Sequence, residues 1–252
     1  MADSSPSRSP LWLTLGGIAL LALGIAGGWL LESRRTASGA MDDQEKARIE
    51  QVVHDYLLEH PEILPQAIEK LRANESLKQL EPIVDKVMAP YPGAVLGNPN
   101  GTVTLVEFSD FACTFCRHSE ADLEALIAEN PDLKVVIRQL PIIAPTSPDA
   151  ARWGLAAAAQ GKYAAFHKAM FAAGRTDAAT IQGVARMAGL DLARAQQDLA
   201  NPAVQKEIET NIEYARRLGF DGTPSWIIGD QIMQGAVGKE ALAKAIAEAR
   251  GS

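Results

Sequence analysis

The stretch VTLVEFSDFACTFC, residues 103–116, decides the fold of this chain, because it contains both of its cysteines. The mostly apolar run from Val103 to Phe108 predicts a strand, and the run from Arg117 to Ala128 predicts a helix. A Cys-x-x-Cys motif at the junction of strand and helix is typical of thiol–disulfide exchange. The positive end of the helix dipole can stabilise a thiolate on one cysteine. The second cysteine lies one turn away, close enough to form a disulfide.

The residues around this motif predict an α/β body that begins near Ala94. A second strand is expected at Lys134–Leu140, and a strand, a helix and a strand in this order form a right-handed parallel unit. Residues 148–219 are predicted to be almost wholly helical. Two short strands, Ser225–Ile228 and Gln231–Gln234, flank the hairpin signal Gly229-Asp230. A last amphipathic helix is expected at Lys239–Arg250.

Residues 41–90 predict a separate region of short amphipathic helices. The first helix starts at Asp42 or Asp43 and ends near His60, because Pro61 breaks it. Pro65 lies in the first turn of a second helix that ends near Ala73, and a third helix is expected at Glu75–Met88. So short a region buries little surface by itself, and so we expect it to pack on the main body, the membrane or copies of itself.

The segment from Leu11 to Leu31 contains no charged residue, and its length is that of a membrane-spanning helix. Trp12 and Trp29 lie near its ends, where interfacial aromatic residues are common. We therefore predict a polar tail, a single uncleaved anchor at 11–31 that contacts membrane lipid, and a linker, together residues 1–40. Cleavage at the small residues Ala37–Ala40 stays open as the alternative. Lysine and arginine counts do not decide the orientation. We place the catalytic domain outside the cell inner membrane, facing the periplasm or another extracytoplasmic space, because disulfides persist in oxidising compartments.

Composition and ligand counts exclude some functions. The net charge of −7 argues against nucleic acid as a partner. His118 adds only one ligand to the two thiols, fewer than the four ligands of a closed zinc site, so we predict no metal. No cofactor is expected, because a dithiol itself carries the two electrons of the exchange. A copper-binding or copper-delivery module using the two thiols stays open as the alternative, since soft Cu(I) suits thiolates.

Two sets of residues resemble a known family. Glu107–Cys116, together with Gly222-Thr223-Pro224-Ser225 before the late hairpin, resembles the thioredoxin fold, and the long helical insertion at about 145–219 resembles the DsbA family within it. This resemblance implies one DsbA-like domain over residues 91–252. The segment Tyr56–Leu64 is similar to the N-terminal region of ScsC-type proteins, which supports oligomerisation in that group. A homo-oligomer through residues 41–90 is therefore expected.

The resemblance assigns roles to the two cysteines. Cys113 is the nucleophile and the exposed cysteine of a redox-active Cys113–Cys116 disulfide, while Cys116 resolves the mixed disulfide. Arg117 is expected to add positive charge near Cys113. Thr114 and Phe115, between the cysteines, are expected to contact substrate, with Phe115 exposed.

Three further residues take their candidate roles from the same resemblance. It implies a cis bond between Thr223 and Pro224 that faces the cysteines, so that Thr223 backbone groups can pair with an extended substrate. The alternative is a plain turn proline. Glu107 matches a buried acid that accepts or passes a proton. The alternative is a strand carboxylate on the solvent face, and the sequence does not choose between them.

The dipeptide Thr114-Phe115 departs from the Pro-His of strongly oxidising DsbA enzymes. Histidine there stabilises the thiolate of the reduced form, whereas Thr114 offers only a hydroxyl. We therefore predict a less acidic Cys113 and a less oxidising pair than the Pro-His type.

These expectations combine into one predicted function. The chain is predicted to be a membrane-tethered, extracytoplasmic thiol–disulfide oxidoreductase, either oxidase or isomerase, acting on cysteine-containing proteins and served by a membrane redox partner. A non-catalytic scaffold stays open as a further alternative.

Overall fold

The computed structural model describes residues 24–29 and 42–251. Residues 24–29 are helical, and the rest of the predicted anchor 11–31, with the polar tail and the linker, lies outside the described residues. Among the helices that the structure describes, none combines the length and the hydropathy that a bilayer crossing requires. The described residues divide into two units, one ending at Gln66 and one starting at Ala67.

The second unit is built on a five-stranded sheet in the order β1-β3-β2-β4-β5. Its strands are β1 Val95–Gly97, β2 Val103–Ser109, β3 Leu133–Gln139, β4 Ser225–Ile228 and β5 Gln231–Gln234. Strands β2 and β3 are parallel, and the other neighbouring pairs are antiparallel. The predicted parallel unit and late hairpin are therefore both present. Strand β1 was not predicted, because three residues are too few for a recognisable alternation and only pairing with β3 defines them.

Helices cover the sheet and form the insertion. They are α1 Asp43–Glu59, α2 Ile63–Leu80, α3 Val84–Met88, α4 Thr114–Glu129, α5 Ser147–Ala159, α6 Tyr163–Ala173, α7 Ala178–Met187, α8 Leu192–Leu199, α9 Pro202–Arg217 and α10 Lys239–Ala249. Several begin at an acidic or amide N-cap that accepts a backbone N–H bond, namely Asp42, Asp177, Asp191 and Asn201. Helices α5 to α9 confirm the predicted helical stretch between β3 and β4.

The predicted break near Ala73 was wrong. Helix α2 runs on to Leu80, and the break falls at a 3₁₀ turn, Glu81–Ile83, which precedes the short helix α3. Pro82 explains the shift, because its ring and missing N–H end the α-helical ladder at the turn before it. The predicted end of α1 before Pro61 is confirmed, since α1 stops at Glu59.

Three apolar clusters organise the second unit. One lies on the sheet face that carries Leu105 and Trp226, against α4, α5, α9 and α10. Another lies on the opposite face, where Phe108 packs with residues from Leu80 to Val87. The third is the interior of the helical insertion, and it includes Cys113 and Cys116. The cysteines thus lie where the sheet domain meets its inserted helices.

Helix α1 presents its apolar side chains to solvent. None of its residues is buried. Ile49, Val52, Val53 and Tyr56 fall on one helical face, and all four are exposed. This face has no covering partner among the described residues.

Candidate active site

The first cysteine is the N-cap of α4. Cys113 Sγ accepts the N–H of Cys116 at 3.3 Å and donates to the carbonyl oxygen of Thr223 at 3.2 Å. The expectation of an exposed nucleophile was wrong, because Cys113 is only 4% exposed. It is covered because its sulfur is held between the first turn of α4 and the Thr223 carbonyl. Both cysteines are free thiols in this structure.

A buried carboxylate shapes the loop before the cysteines. Asp110 accepts the N–H of Ala112 at 2.9 Å and, through its other oxygen, the N–H groups of Ile142 and Ile143, each at 2.9 Å. Asp110 is 1% exposed. It therefore fixes the cysteine loop to the segment after β3. Sequence reasoning assigned no role to Asp110, and its only signal was an acidic residue directly after a buried strand.

The surroundings of Cys113 favour its thiolate. Its hydrogen bond with Cys116 is the main cause of a pKa lowered from 9.0 to about 6, while burial acts in the opposite direction. The Thr223 hydroxyl and the backbone N–H groups of Cys116 and Phe115 lower it further. The Thr223 hydroxyl is buried and has no hydrogen-bond partner, so it is free to donate to a thiolate.

The second cysteine has the opposite character. Cys116 is fully buried. Burial raises its pKa far above the usual range, and the hydrogen bond with Cys113 and the charge of Glu107 act in the same direction. The two sulfurs are therefore unequal: near neutral pH Cys113 is the thiolate and Cys116 keeps its proton.

The peptide bond between Thr223 and Pro224 is cis. Thr223 is 7% exposed, and its carbonyl oxygen faces Cys113 as described above. The structure therefore brings the late Thr-Pro segment to the cysteines, across 110 residues of sequence.

Glu107 is buried rather than on a solvent face. It is 0% exposed, and neither carboxylate oxygen has a hydrogen-bond partner. Burial raises its pKa well above 4.5, and the charge of Glu120 raises it further, while the nearby Ser109 hydroxyl acts in the opposite direction. The charge of Glu107 also raises the pKa of Cys116, so the carboxyl lies within electrostatic range of that sulfur.

The two residues between the cysteines are both exposed, as the sequence predicted for Phe115. Phe115 is 62% exposed. Ile142 and Ile143, in the segment tied to the cysteine loop by Asp110, are 46% and 49% exposed. Exposed apolar side chains therefore lie next to the cysteine loop, and we call them the apolar rim: Phe115, Ile142 and Ile143.

The expected contribution of Arg117 is absent. Its guanidinium donates to the carbonyl oxygen of Gly174 at 3.4 Å instead. Hydrogen bonds lower the pKa of Cys113, and no side-chain cation contributes to this shift. In the part of the chain that the structure describes, no three His, Cys, Asp or Glu side chains come together as metal ligands.

Sequence reasoning also missed a buried hydrogen-bonded pair between α6 and α4. His167 Nε2 lies 3.0 Å from a carboxylate oxygen of Glu120, and their side chains are 2% and 15% exposed. No role was assigned to His167 from the sequence. Forty-seven residues separate the pair, so no local spacing could reveal it.

Comparisons with known proteins agree with this geometry. The DSBA-like thioredoxin domain model matches residues 104–247, and the Copper resistance protein ScsC N-terminal domain model matches residues 45–76. A Na(+)/H(+) antiporter NhaA from Herminiimonas arsenicoxydans is 33% identical over 62% of this chain, which spans 25% of that protein. The chain thus covers about a quarter of the length of this curated relative.

Solved structures show the same likeness. A thioredoxin-like oxidoreductase from Silicibacter pomeroyi DSS-3 is 38% identical with a TM-score of 0.64, over 67% of this chain and 98% of that one. A linker-deletion mutant of Proteus mirabilis ScsC is 25% identical with a TM-score of 0.66, over 84% and 98%. The thiol–disulfide exchange protein α-DsbA2 from Wolbachia pipientis is 27% identical with a TM-score of 0.64, over 71% and 97%. With its unequal thiols beside a cis-proline, the chain belongs to the DsbA-like thioredoxin domain family.

Proposed function

We propose that this chain is a thiol–disulfide oxidoreductase that acts on cysteine-containing proteins through Cys113 and Cys116. The observation that carries the proposal is the opposite ionisation of the two thiols. Cys113, with a pKa of about 6, supplies a nucleophile at neutral pH. Cys116 stays protonated until a mixed disulfide has formed.

The cycle follows from these two properties. In reductive turnover the Cys113 thiolate attacks a substrate disulfide, one substrate sulfur leaves, and a mixed disulfide forms. Cys116 then loses its proton and attacks Cys113 Sγ, which releases the second substrate sulfur and leaves the Cys113–Cys116 disulfide. In oxidative turnover the same steps run in reverse.

Thr223, Pro224 and the apolar rim are the proposed substrate surface. The Thr223 backbone lies next to Cys113, so an extended substrate segment that pairs with it would bring its sulfur to the nucleophile. Phe115 and Thr114 are exposed at the first turn of α4, where they can contact such a segment. Exposed aromatic and aliphatic side chains favour apolar residues beside the substrate cysteine.

The acidity of Cys113 bears on how oxidising the thiol pair is. A pKa of about 6 lies between the values of roughly 3.5 for DsbA and roughly 7 for thioredoxin. This supports the proposal that the pair is less oxidising than the Pro-His type, because a less stabilised thiolate makes the disulfide a weaker oxidant. A measured reduction potential near the DsbA value of about −120 mV would contradict it.

The tether and the compartment are part of the proposal. The uncharged segment 11–31 supports a single membrane anchor, and the family supports an extracytoplasmic catalytic domain that exchanges electrons with a membrane redox partner. Helix α1 supports self-association through 41–90, since its exposed apolar face requires a partner. An oligomer would present several thiol pairs to one substrate, which suits isomerisation.

Paired cysteine variants of the full chain test the function. Cys116→Ser is expected to accumulate mixed disulfides with a reduced, cysteine-rich model protein, because the resolving thiol is gone. Cys113→Ser is expected to form none and to lose oxidase and isomerase activity, measured on reduced and on scrambled substrate. Full activity of Cys113→Ser would refute the proposal.

Copper binding is the second candidate. The match of residues 45–76 to a domain described as copper resistance protein ScsC favours it, and two thiols suit Cu(I). Stoichiometric Cu(I) binding that depends on both cysteines, without any dithiol exchange activity, would favour this function over the first.

A further inference from the structure

Three segments meet at one edge of the sheet, and the cysteine loop is the middle one. Strand β2 lies between β3 and β4. The last residues of β2 and β3, Ser109 and Gln139, are paired, and the first residue of β4, Ser225, pairs one position before the end of β2. The segment after β3 and the residue Thr223 therefore lie on opposite sides of the cysteine loop. Two strand spacings, roughly 10 Å, separate them.

The segment after β3, residues 140–146, is here called the rim segment, and side chains hold its backbone. It has no regular secondary structure and contains two prolines, which lack an N–H group. Two of the three N–H groups between these prolines, those of Ile142 and Ile143, donate to one carboxylate oxygen of Asp110, each at 2.9 Å. The third donates to the hydroxyl of Ser147, the first residue of α5, at 3.0 Å.

Apolar packing holds the ends of the rim segment but not its middle. Leu140 and the adjoining Ser147 are 2% and 1% exposed, whereas Ile142 and Ile143 are about half exposed. An apolar side chain that stays in water gains little of the free energy that burial supplies. The position of the two isoleucines therefore depends on the hydrogen bonds to Asp110.

Asp110 is bonded to the backbone of the nucleophile as well as to the rim segment. Its carbonyl oxygen accepts the N–H of Cys113 at 2.9 Å, and its second carboxylate oxygen accepts the N–H of Ala112. A turn of this kind needs only the bond to the N–H two residues on. A buried carboxylate is costly unless it is hydrogen-bonded, and Asp110 directs two of its three side-chain bonds out of the turn, to the rim segment. One residue thus sets the place of the two isoleucines relative to Cys113.

We propose that Asp110 is a positioning residue for substrate selection, and that it acts by holding Ile142 and Ile143 beside Cys113. The inference rests on the proposed function, because it names the substrate class of the same thiols. The preferred substrate is an extended peptide disulfide that pairs with Thr223 on one side of the cysteine loop. On the other side it places an aliphatic or aromatic side chain against the two isoleucines.

Single-turnover reduction of two peptide disulfides tests this role. The full chain, with both cysteines as thiols, is mixed with a disulfide peptide that has Leu beside its cysteine, or with a matched peptide that has Ser there. The two thiols of the chain become a disulfide, and the peptide disulfide becomes two thiols. At low peptide concentration we expect the wild-type chain to react about ten-fold faster with the Leu peptide, as the removal of roughly two methylene groups from water would give.

Asp110→Ser separates the two sets of bonds. A serine hydroxyl can still accept the N–H two residues on, but it is too short to reach the rim segment. We expect the ratio of the Leu rate to the Ser rate to fall to about two-fold, because the isoleucines lose most of the contact that gave the preference. A loss of folded protein would lower both rates equally and leave the ratio unchanged.

Two further variants complete the comparison. The matched control is Asp230→Ser, the same change at an exposed residue of the late hairpin, and it is expected to keep the wild-type ratio. The double variant Ile142→Ser/Ile143→Ser is expected to have the same low ratio as Asp110→Ser. Adding Asp110→Ser to the double variant is expected to lower the ratio no further, because Asp110 acts through the two isoleucines.

A wild-type ratio in folded Asp110→Ser would overturn the proposal, and so would a wild-type ratio in the double variant. Hydrogen exchange of the wild-type chain decides the matter if Asp110→Ser does not fold. The amide of Ile143 is expected to exchange at least about ten-fold more slowly than in an unfolded peptide, and an unprotected amide would overturn the proposal. Ile143 is the informative residue, because the N–H of Ile142 also lies 3.0 Å from the carbonyl oxygen of Leu140.

Failure of the proposed function gives a different result. A wild-type chain that reduces neither the peptides nor the small compound hydroxyethyl disulfide would refute thiol–disulfide exchange itself. A wild-type chain that reduces hydroxyethyl disulfide, and both peptides at equal rates, would refute only the role of Asp110 and the two isoleucines.

Discussion

Replacing Glu107 with Gln tests the buried acid most directly, through the pH dependence of stability. The carboxyl has a folded-state pKa well above its ordinary 4.5, because it is buried and lies near Glu120. Unfolding therefore releases a proton at any pH between these two values. In this window the free energy of unfolding falls by about 1.4 kcal/mol for each pH unit. Below the ordinary pKa the carboxyl is protonated in both the folded and the unfolded protein, so it no longer makes the free energy of unfolding depend on pH.

The thiol of Cys113 has the opposite effect on the pH dependence of stability. Its lowered pKa makes the folded, reduced protein more stable as pH rises above about 6. The quantity to measure is therefore the difference in free energy of unfolding between Glu107→Gln and wild type, by denaturant titration of reduced protein. Gln is neutral and of the same size, so the difference is expected to rise with pH by about 1.4 kcal/mol per unit from about pH 5 upward.

Glu240→Gln is the matched control for this measurement. Glu240 is exposed on α10, and its replacement is expected to leave the pH slope unchanged. A Glu107→Gln difference that is constant between about pH 5 and about pH 8 would refute the reasoning, because the carboxyl would then be ionised in the folded state.

Three further predictions follow from individual contacts. The alkylation rate of Cys113 is expected to titrate with a midpoint near pH 6. Thr223→Val removes an unpaired hydroxyl beside the sulfur and is therefore expected to raise this midpoint. An unchanged midpoint would exclude the hydroxyl as a hydrogen-bond donor to the thiolate. Arg138→Ala is expected to lower the free energy of unfolding by about 3–5 kcal/mol, because Glu207, 2.7 Å from the buried guanidinium, loses its partner; a loss below about 1 kcal/mol in denaturant titration would contradict this. Phe115→Ser is expected to change stability by less than about 0.5 kcal/mol, because the ring is 62% exposed, yet to weaken binding of an apolar cysteine peptide measured by calorimetry.

Local sequence patterns predicted much of the fold. The apolar run in β2, the proline stops and the Gly-Asp turn are short-range signals, so they predicted the parallel unit, the end of α1 and the late hairpin. The same reasoning failed for strand pairing between distant segments and for the position at which one helix ends. Strand β1 is formed only by its pairing with β3, and Pro82 sets the end of α2, seven residues beyond the predicted end near Ala73.

The candidate site divides in the same way into features that the local sequence predicts and features that only tertiary structure sets. The sequence by itself limited thiol chemistry to two residues, because the chain contains only two cysteines, three positions apart at a strand-to-helix junction. Only the tertiary structure decided how they differ. The carbonyl of Thr223 contacts Cys113 although more than a hundred residues separate them in sequence. The side chain of Glu107 is buried rather than exposed to solvent. His167 on α6 contacts Glu120 on α4. Burial and hydrogen bonds between distant segments set ionisation, and neither quantity is a property of local sequence.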